Sequence, residues 1–325
     1  MFISTVIPTI GRSTLARAVQ SVLNQQFEKE PCEIIVVNDS GQELPVEEWQ
    51  YHPCVQVIST NRLNRCIARN SGAAIAQGRY LHFLDDDDWI LPGAFEAFWL
   101  VAENHPAAWY CGAFRLTNNE GHKIIDVFPD ESHNCFVQLV SWEWLPLQAS
   151  IIEANAFFKI GGFAMLESLK GGFEDIDLSR VIACYHDFMN VPSLVACIRA
   201  GDNGSTTNYS DMFIQNRQSR EKTLNLPGAY RRLISSARNN IQRREYWHGR
   251  IVYEYAGSAR RNMYEKRFFT SMSRIFHALH AFFIALIFIF NRNFWLGLTR
   301  PHHPRVWIET ISAGKELFTN TQWKF

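Results

Sequence analysis

The sequence predicts an α/β fold built on a mostly parallel sheet flanked by helices. Across the first hundred residues, short apolar runs alternate with stretches of helical periodicity. The polar clusters Asn38-Asp39-Ser40 and Asp85-Asp86-Asp87-Asp88 follow directly on two of those runs, where the carboxyl ends of parallel strands gather reactive groups. The chain has 325 residues, 47% of them hydrophobic, enough to bury a sizeable core in one large domain or one domain with an appendage.

Taken in order, residues 2–7 form the first strand, broken by Pro8. A helix starts near Ser13 or Thr14, either able to cap it, and sets Leu15, Val19, Val22 and Leu23 on one face. Residues 33–37 and 55–59 are the second and third strands. A second helix runs from about Asn64 and stops at Gly78, read as a C′ glycine. Residues 80–84 make the fourth strand, and a third helix begins at Pro92, a favoured first position. Two β-like runs between Trp109 and Phe128 flank Asn118-Asn119-Glu120-Gly121, and after residue 213 nearly everything reads helical.

Net charge is zero, with 32 basic and 32 acidic residues, but the two parts of the chain differ. Residues 1–212 hold 26 Asp/Glu against 13 Lys/Arg, and residues 213–325 hold 6 against 19. This places a boundary at 212, with the α/β domain before it and a basic, amphipathic helical region after it. The same composition excludes collagen, low complexity and wholesale disorder. Seven dispersed cysteines form no C-x-x-C pair and read as buried thiols in a reducing compartment. The start, Met-Phe-Ile-Ser-Thr-Val-Ile-Pro, lacks a basic n-region and a cleavage site, so the expected location is cytosolic.

Four consecutive aspartates carry the strongest chemical signal. Adjacent carboxylates repel and raise one another's pKa unless a cation compensates them. A hard divalent ion does so, and Mg²⁺ takes one or two carboxylates plus substrate phosphates. Asp85 and Asp87, two apart in an extended loop, can reach one ion; the same run also reads as a solvated acidic turn before a helix N-terminus. Asp39 ends a buried Ile-Ile-Val-Val run, where it can accept from a nucleotide's base or ribose or form an Asx turn. Glu174-Asp175-Ile176-Asp177 enters a helix behind a glycine-rich approach, a position where capping acids are ordinary. Arg62, Arg65 and Arg69, spaced three and four apart, share a helix face suited to a diphosphate or to surface acids.

Seven motifs then come in order: Thr-Val-Ile-Pro-Thr-Ile-Gly-Arg (5–12), Ser-Val-Leu-Asn-Gln (21–25), Glu-Ile-Ile-Val-Val-Asn-Asp-Ser (33–40), Ala-Arg-Asn-Ser-Gly-Ala (68–73), Gly-Arg-Tyr-Leu-His-Phe-Leu-Asp-Asp-Asp-Asp (78–88), Ile-Gly-Gly-Phe (160–163) and Glu-Asp-Ile-Asp-Leu (174–178). Together they resemble family 2 glycosyltransferases with the GT-A fold, over about residues 3–205. The resemblance implies inverting transfer of a sugar from a nucleoside diphosphate to an acceptor hydroxyl. It places Pro8, Thr9 and Arg12 beside the nucleotide, Asp39 on the base, Arg69 and Arg199 near the phosphates, and Asp86 among the donor-binding residues. Asp85 and Asp87 match the D-x-D pair that holds Mn²⁺ or Mg²⁺, with Asp87 as the direct ligand, and Asp175 matches the general base with Glu174 beside it. Trp142, Trp144 and Gln148 fall where the acceptor pocket opens, where aromatic rings stack on sugar faces, although core packing also suits at least one of the tryptophans. Three departures stand out: Asn38 replaces a first acid, Leu63-Asn64 stand where a glycine is common, and Ala164-Met165 replace an acidic pair.

The resemblance points to a UDP-sugar on family frequency, with dTDP and GDP as alternatives, and to a bacterial surface polysaccharide, lipopolysaccharide or lipid-linked acceptor. Residues 217–267 carry thirteen Lys/Arg and four Glu interleaved with aromatics, and residues 275–290 carry no formal charge between Arg274 and Arg292. A basic segment beside aromatic bulk predicts a helix lying in the interface of an anionic membrane, on the inner face of the cytoplasmic membrane. Buried packing, pairing with a second copy and a true span are the alternatives. From other classes, a nucleic-acid binder using the basic segment and an inactive sugar-nucleotide sensor compete with the transferase reading; the intact acids speak against the sensor.

Overall fold

The computed structural model describes residues 1–118, 120–129, 134–141, 145–164, 174–199, 209–240 and 243–299. Among these residues nine strands form one sheet: β1 (Ile3–Thr9), β2 (Glu33–Asn38), β3 (Val55–Ser59), β4 (Tyr80–Phe83), β5 (Trp89–Ile90), β6 (Trp109–Thr117), β7 (Lys123–Val127), β8 (Ser150–Glu153) and β9 (Phe188–Arg199). The order is β3-β2-β1-β4-β8-β6-β9-β5, with β7 paired to β6. β1 to β4 run parallel to one another, β8 is antiparallel to both β4 and β6, and β9 is parallel to β6. Two reversals restore the original direction, so β6 and β9 point the same way as β1, β2 and β4. The carboxyl ends of β1, β2, β4 and β9 and the start of β8 therefore share one edge of the sheet, which is where ligands bind in folds of this kind.

β1 runs on through Pro8, which pairs in register with Val37. The carbonyl of Val6 accepts from Leu84 and that of Thr9 from Asp39. By alternation Pro8 faces the β4 side, beyond the last pair of β1 with β4, so its missing N–H costs no ladder bond. The helix α1 (Leu15–Leu23) buries Leu15, Ala18, Val19 and Val22, with Thr14 at its N-cap but no side-chain capping bond. Asn64 does cap α2 (Arg65–Ile75), its side chain accepting from the amides of Cys66 and Ile67 at 3.0 and 3.2 Å. That helix ends at Ile75, and Gly78 plays a different part from a cap: a Cβ there would lie 2.5 Å from the Ser4 nitrogen, so glycine permits close approach to β1. The third helix, α3 (Ala94–Asn104), starts two residues after Pro92, behind Gly93 at φ 81°.

Three short or mid-length helices complete the sheet's cover: α4 (Phe136–Ser141), α5 (Ala154–Lys159) and α6 (Glu174–Tyr185). Beyond β9 come α7 (Tyr209–Leu224), α8 (Ala229–Asn239), α9 (Arg244–Tyr264), α10 (Phe268–Ala285) and α11 (Arg292–Thr299). One continuous apolar core reaches from Phe2 to Ala281, linking the sheet to these helices. α9 and α11 cross at Gly249 and Gly297, where Cβ atoms would lie 2.2 and 2.1 Å from opposing carbonyl oxygens. α9 turns into α10 through Lys266 at φ 58°, with the Arg267 amide donating to the Asn262 carbonyl.

Candidate active site

At the shared edge, the four aspartates divide. Asp86 is buried and turned toward β1, accepting from the Thr9 hydroxyl at 2.6 Å and from Arg12 at 2.5 Å. The Asp88 amide donates to the Asp85 carbonyl, and this tight turn brings Asp88 back beside Asp85. One oxygen each from Asp85, Asp87 and Asp88 lies within 4.8 Å of the others. Asp88 is thus a third member that the two-residue spacing of Asp85 and Asp87 did not reveal; it is a property of the turn.

Each member of this trio has a cationic or amide partner. Asp85 accepts from Arg69 at 2.5 Å and from the Gln148 amide at 2.9 Å. Asp87 pairs with Arg199 at 2.7 Å and with Arg12 at 3.5 Å. Asp88 accepts the Arg199 backbone amide at 2.7 Å. Burial pushes the Asp85 carboxyl up, but Arg69, with Arg65 and Arg12 behind it, outweighs burial and holds it below the usual range. Burial and then the charges of Asp85 and Asp87 push the Asp88 carboxyl well above that range. Three hard oxygen donors, one of them resisting its own charge until a cation compensates it, suit Mn²⁺ or Mg²⁺.

Arg69 organises the other side. Buried on α2, it donates to Glu174 at 2.9 Å as well as to Asp85, and its guanidinium lies 5.3 Å over the Phe163 ring. Its charge is held firmly, because Asp85 and Glu174 outweigh the burial that lowers its pKa. Arg65 adds a second contact to Glu174 at 3.3 Å. Asp175 follows at the start of α6, with its Oδ1 accepting the Ile176 amide at 2.7 Å. Burial, then the neighbouring Glu174 charge, pushes the Asp175 carboxyl up to about 6, against the pull of Arg69. A carboxyl at that value is poised to take a proton near neutral pH.

α6 is fixed from behind by the helical region. Asp177 accepts from Ser219 at 2.9 Å and from Lys222 at 2.6 Å on α7. Arg180, fully buried, donates to the Leu139 carbonyl, to Asn216 and to Ser219. Burial lowers its pKa to about 9. Asp177 therefore anchors the helix that presents Asp175, a role its place in the motif did not indicate.

Asp39 is buried and holds the loop after β3: its Oδ1 accepts from Thr60 and the Arg62 amide, and its Oδ2 from the Asn64 amide. A carboxylate has about four acceptor positions, and these three bonds fill most of them. This bracing holds Asn61 and Leu63 at φ 52° and 51°, the left-handed region that glycine prefers. Gln148 sits beneath the acid cluster, and its carbonyl meets the ring of buried His82 at 3.0 Å. Burial lowers the His82 pKa to about 4, so that ring is neutral. Trp142 and Trp144 lie outside the described residues, as does Met165.

Comparison with known proteins agrees with this geometry. Residues 4–167 match glycosyl transferase family 2. An uncharacterised glycosyltransferase of Haemophilus influenzae is 36% identical over 106 residues, 32% of this chain and 35% of that protein. The poly(ribitol-phosphate) beta-N-acetylglucosaminyltransferase TarP of Staphylococcus aureus is 32% identical over 101 residues, 29% of this chain and 31% of TarP. The chain thus spans about a third of the length of these two relatives. Among solved structures, S. aureus TarS 1-349 in complex with UDP-GlcNAc aligns at a TM-score of 0.57 and 14% identity, covering 92% of this chain and 90% of TarS 1-349. The fold is GT-A.

Proposed function

Because the chain belongs to glycosyl transferase family 2, we propose that it is a glycosyltransferase that moves a sugar from a UDP-sugar, with inversion, to a hydroxyl of a cell-surface glycan or lipid-linked acceptor. The observation that carries this reading is Arg69, whose one guanidinium ties Asp85 of the acid trio to Glu174 beside Asp175. It sets the donor's phosphate end and the acceptor's base on either side of one buried guanidinium.

Asp39, at the end of β2, takes the base, and Thr9 and Pro8 border the nucleoside. Asp87 and Asp85, with Asp88 beside them, would hold a divalent ion, which would supply positive charge against the departing diphosphate. Arg12 and Arg199, both already at Asp87, bring the cationic side chains that the phosphates need. Asp175 takes the proton of the acceptor hydroxyl as that oxygen attacks the anomeric carbon. Attack and departure occupy opposite faces in one displacement, so the configuration inverts. Gln148 and Glu174 lie on the acceptor side and keep Asp85 and Arg69 in place. Support for a UDP donor comes from TarS, solved with UDP and with UDP-GlcNAc. Support for a surface-polymer acceptor comes from TarP and from the minor teichoic acid biosynthesis protein GgaB of Bacillus subtilis, 33% identical over 87 residues.

The test is thermal stabilisation by UDP, dTDP, GDP and CDP, each with and without Mn²⁺. A ligand at a hundred times its Kd adds about 2.7 kcal/mol. The expected result is a rise with UDP that requires Mn²⁺ and is lost in Asp87→Asn. No rise with any nucleotide, from protein shown to be folded, sinks the proposal.

A further inference from the structure

α10 packs one face on α9 through Ser271, Arg274, Ala278, Ala281 and Ala285 and leaves the other bare. Along the bare face Phe269, Met272, Phe276, Leu279, Phe283 and Ile287 recur at steps of three and four, each between 54% and 94% exposed. Phe290 continues the line, fully exposed. An apolar stripe of this length is rare on a free soluble surface. A groove of about 620 Å³ between α9 and α10 widens it, lined by Ala259, Met263, Ile275, Ala278 and Leu279 with Arg260 among them.

The surrounding charges say what covers it. Lys266 and Arg267 stand exposed at one end of the stripe, Arg292 at the other and Arg260 along its side. From residue 266 to residue 299 the sequence contains no Asp or Glu. Glu265, paired with Arg267 at 3.3 Å, is the acid at the margin. A second copy laid on this face, parallel or antiparallel, would set basic end against basic end with no acid on the helix to answer. An anionic lipid leaflet answers every one of these charges.

We propose that the exposed face of α10, with the α9–α10 groove, docks on an anionic phospholipid bilayer, the helix lying in the plane of the interface. Its phenylalanines enter the acyl boundary, while Arg260, Lys266, Arg267 and Arg292 meet phosphates. α10 with the turn that continues it, Phe268–Phe288, is long and apolar enough to cross a bilayer, but its inner face is committed. Arg274 is buried there, donating to the Leu224 carbonyl, Asn225 and Ser258, bonds that a span would have to break. The proposal is independent of the donor and acceptor chosen above.

The experiment is co-sedimentation of the full chain with vesicles of phosphatidylcholine alone or with 30% phosphatidylglycerol, at low and high salt. Phe276 and Phe283 are 67% and 65% exposed, so Phe276→Ser/Phe283→Ser leaves the core intact. Nucleotide-dependent thermal stabilisation, or unchanged circular dichroism should no nucleotide bind, confirms that the variant is folded. The expected result is at least about tenfold tighter binding to anionic than to neutral vesicles, weakened by salt and lost in the double variant. Equal binding to both vesicle types, or anionic binding unchanged in the variant, overturns it. So does a dimer in solution that the double substitution converts to monomer while vesicle binding is absent.

Discussion

The acidic sheet edge and the basic helical region treat like charge in opposite ways. At the edge, Asp85, Asp87 and Asp88 are held within reach of one another, and the chain answers them with arginine side chains, a glutamine amide and a backbone amide. In the helices, Arg180, Arg220, Arg250 and Arg274 turn inward, each locked to fixed carbonyls, side-chain oxygens or acids. Glu254 alone takes Arg220 at 2.8 Å and Arg250 at 2.5 Å, and Glu221 serves Ser258, Asn262 and Arg261. A charge excess in sequence is therefore not yet a surface. The acidic excess converges on a site; much of the basic excess is consumed internally, while Arg260, Lys266, Arg267 and Arg292 stand exposed around α10.

The sharpest way to break the comparison is Asp175→Asn. Transfer should fall by about 10²–10⁴-fold, the worth of a positioned base, while UDP binding is kept. In the native enzyme, turnover should decline as pH drops through about 6, since the base must be ionised. The sign for stability is opposite: with the folded pKa raised, ionised Asp175 makes the fold less stable as pH rises from the unfolded value near ~4 through 6. Asp175→Asn should therefore raise the melting temperature at pH 8 and leave it unchanged at pH 4. Retention of full transfer would remove Asp175 as the base.

On the helical side, Glu254→Ala leaves two buried guanidiniums short of a partner and should cost about 3–5 kcal/mol in a urea titration. Activity per folded molecule should hold. A loss below about 1 kcal/mol would show that these arginines reach water, and that the contrast with the acidic edge is overdrawn. The smallest effect is at Leu63, exposed at φ 51°. Leu63→Gly relieves a left-handed backbone but frees the unfolded chain, for a net gain of about 0.5–1 kcal/mol by the same titration. A net loss would mean that Leu63 makes contacts its exposure does not suggest.

Much of the parallel half was legible because its signals are local. β1 to β4 and α2 announce themselves by short apolar runs, an Asn cap and ordered motifs. β9 was not: Pro192 interrupts its pattern, and the structure absorbs Pro192-Ser193 in a register shift, pairing Gly112 with Val191 and Ala113 with Leu194. β5 and β8 are two and four residues long, too short to show a period. In the site, Asp39, Asp85, Asp87, Arg69 and Asp175 were nominated by motif; Asp88, His82 and Asp177 were not, because a tight turn, burial and a distant helix give them their parts.

By itself, then, the sequence determined which chemistry the chain carries: acids at strand ends, arginines at helical spacing and an uncharged run of sixteen residues, 275–290. These are properties of neighbours along the chain, set by periodicity and residue type. Only the tertiary structure decided which charges meet. Strand direction brings Arg199 from β9 to Asp87 of the β4 loop, 112 residues away, and helix packing turns Arg274 inward while leaving Phe276 and Phe283 outside. Ionic and apolar energies depend on distance and burial, and neither is written in the order of the residues.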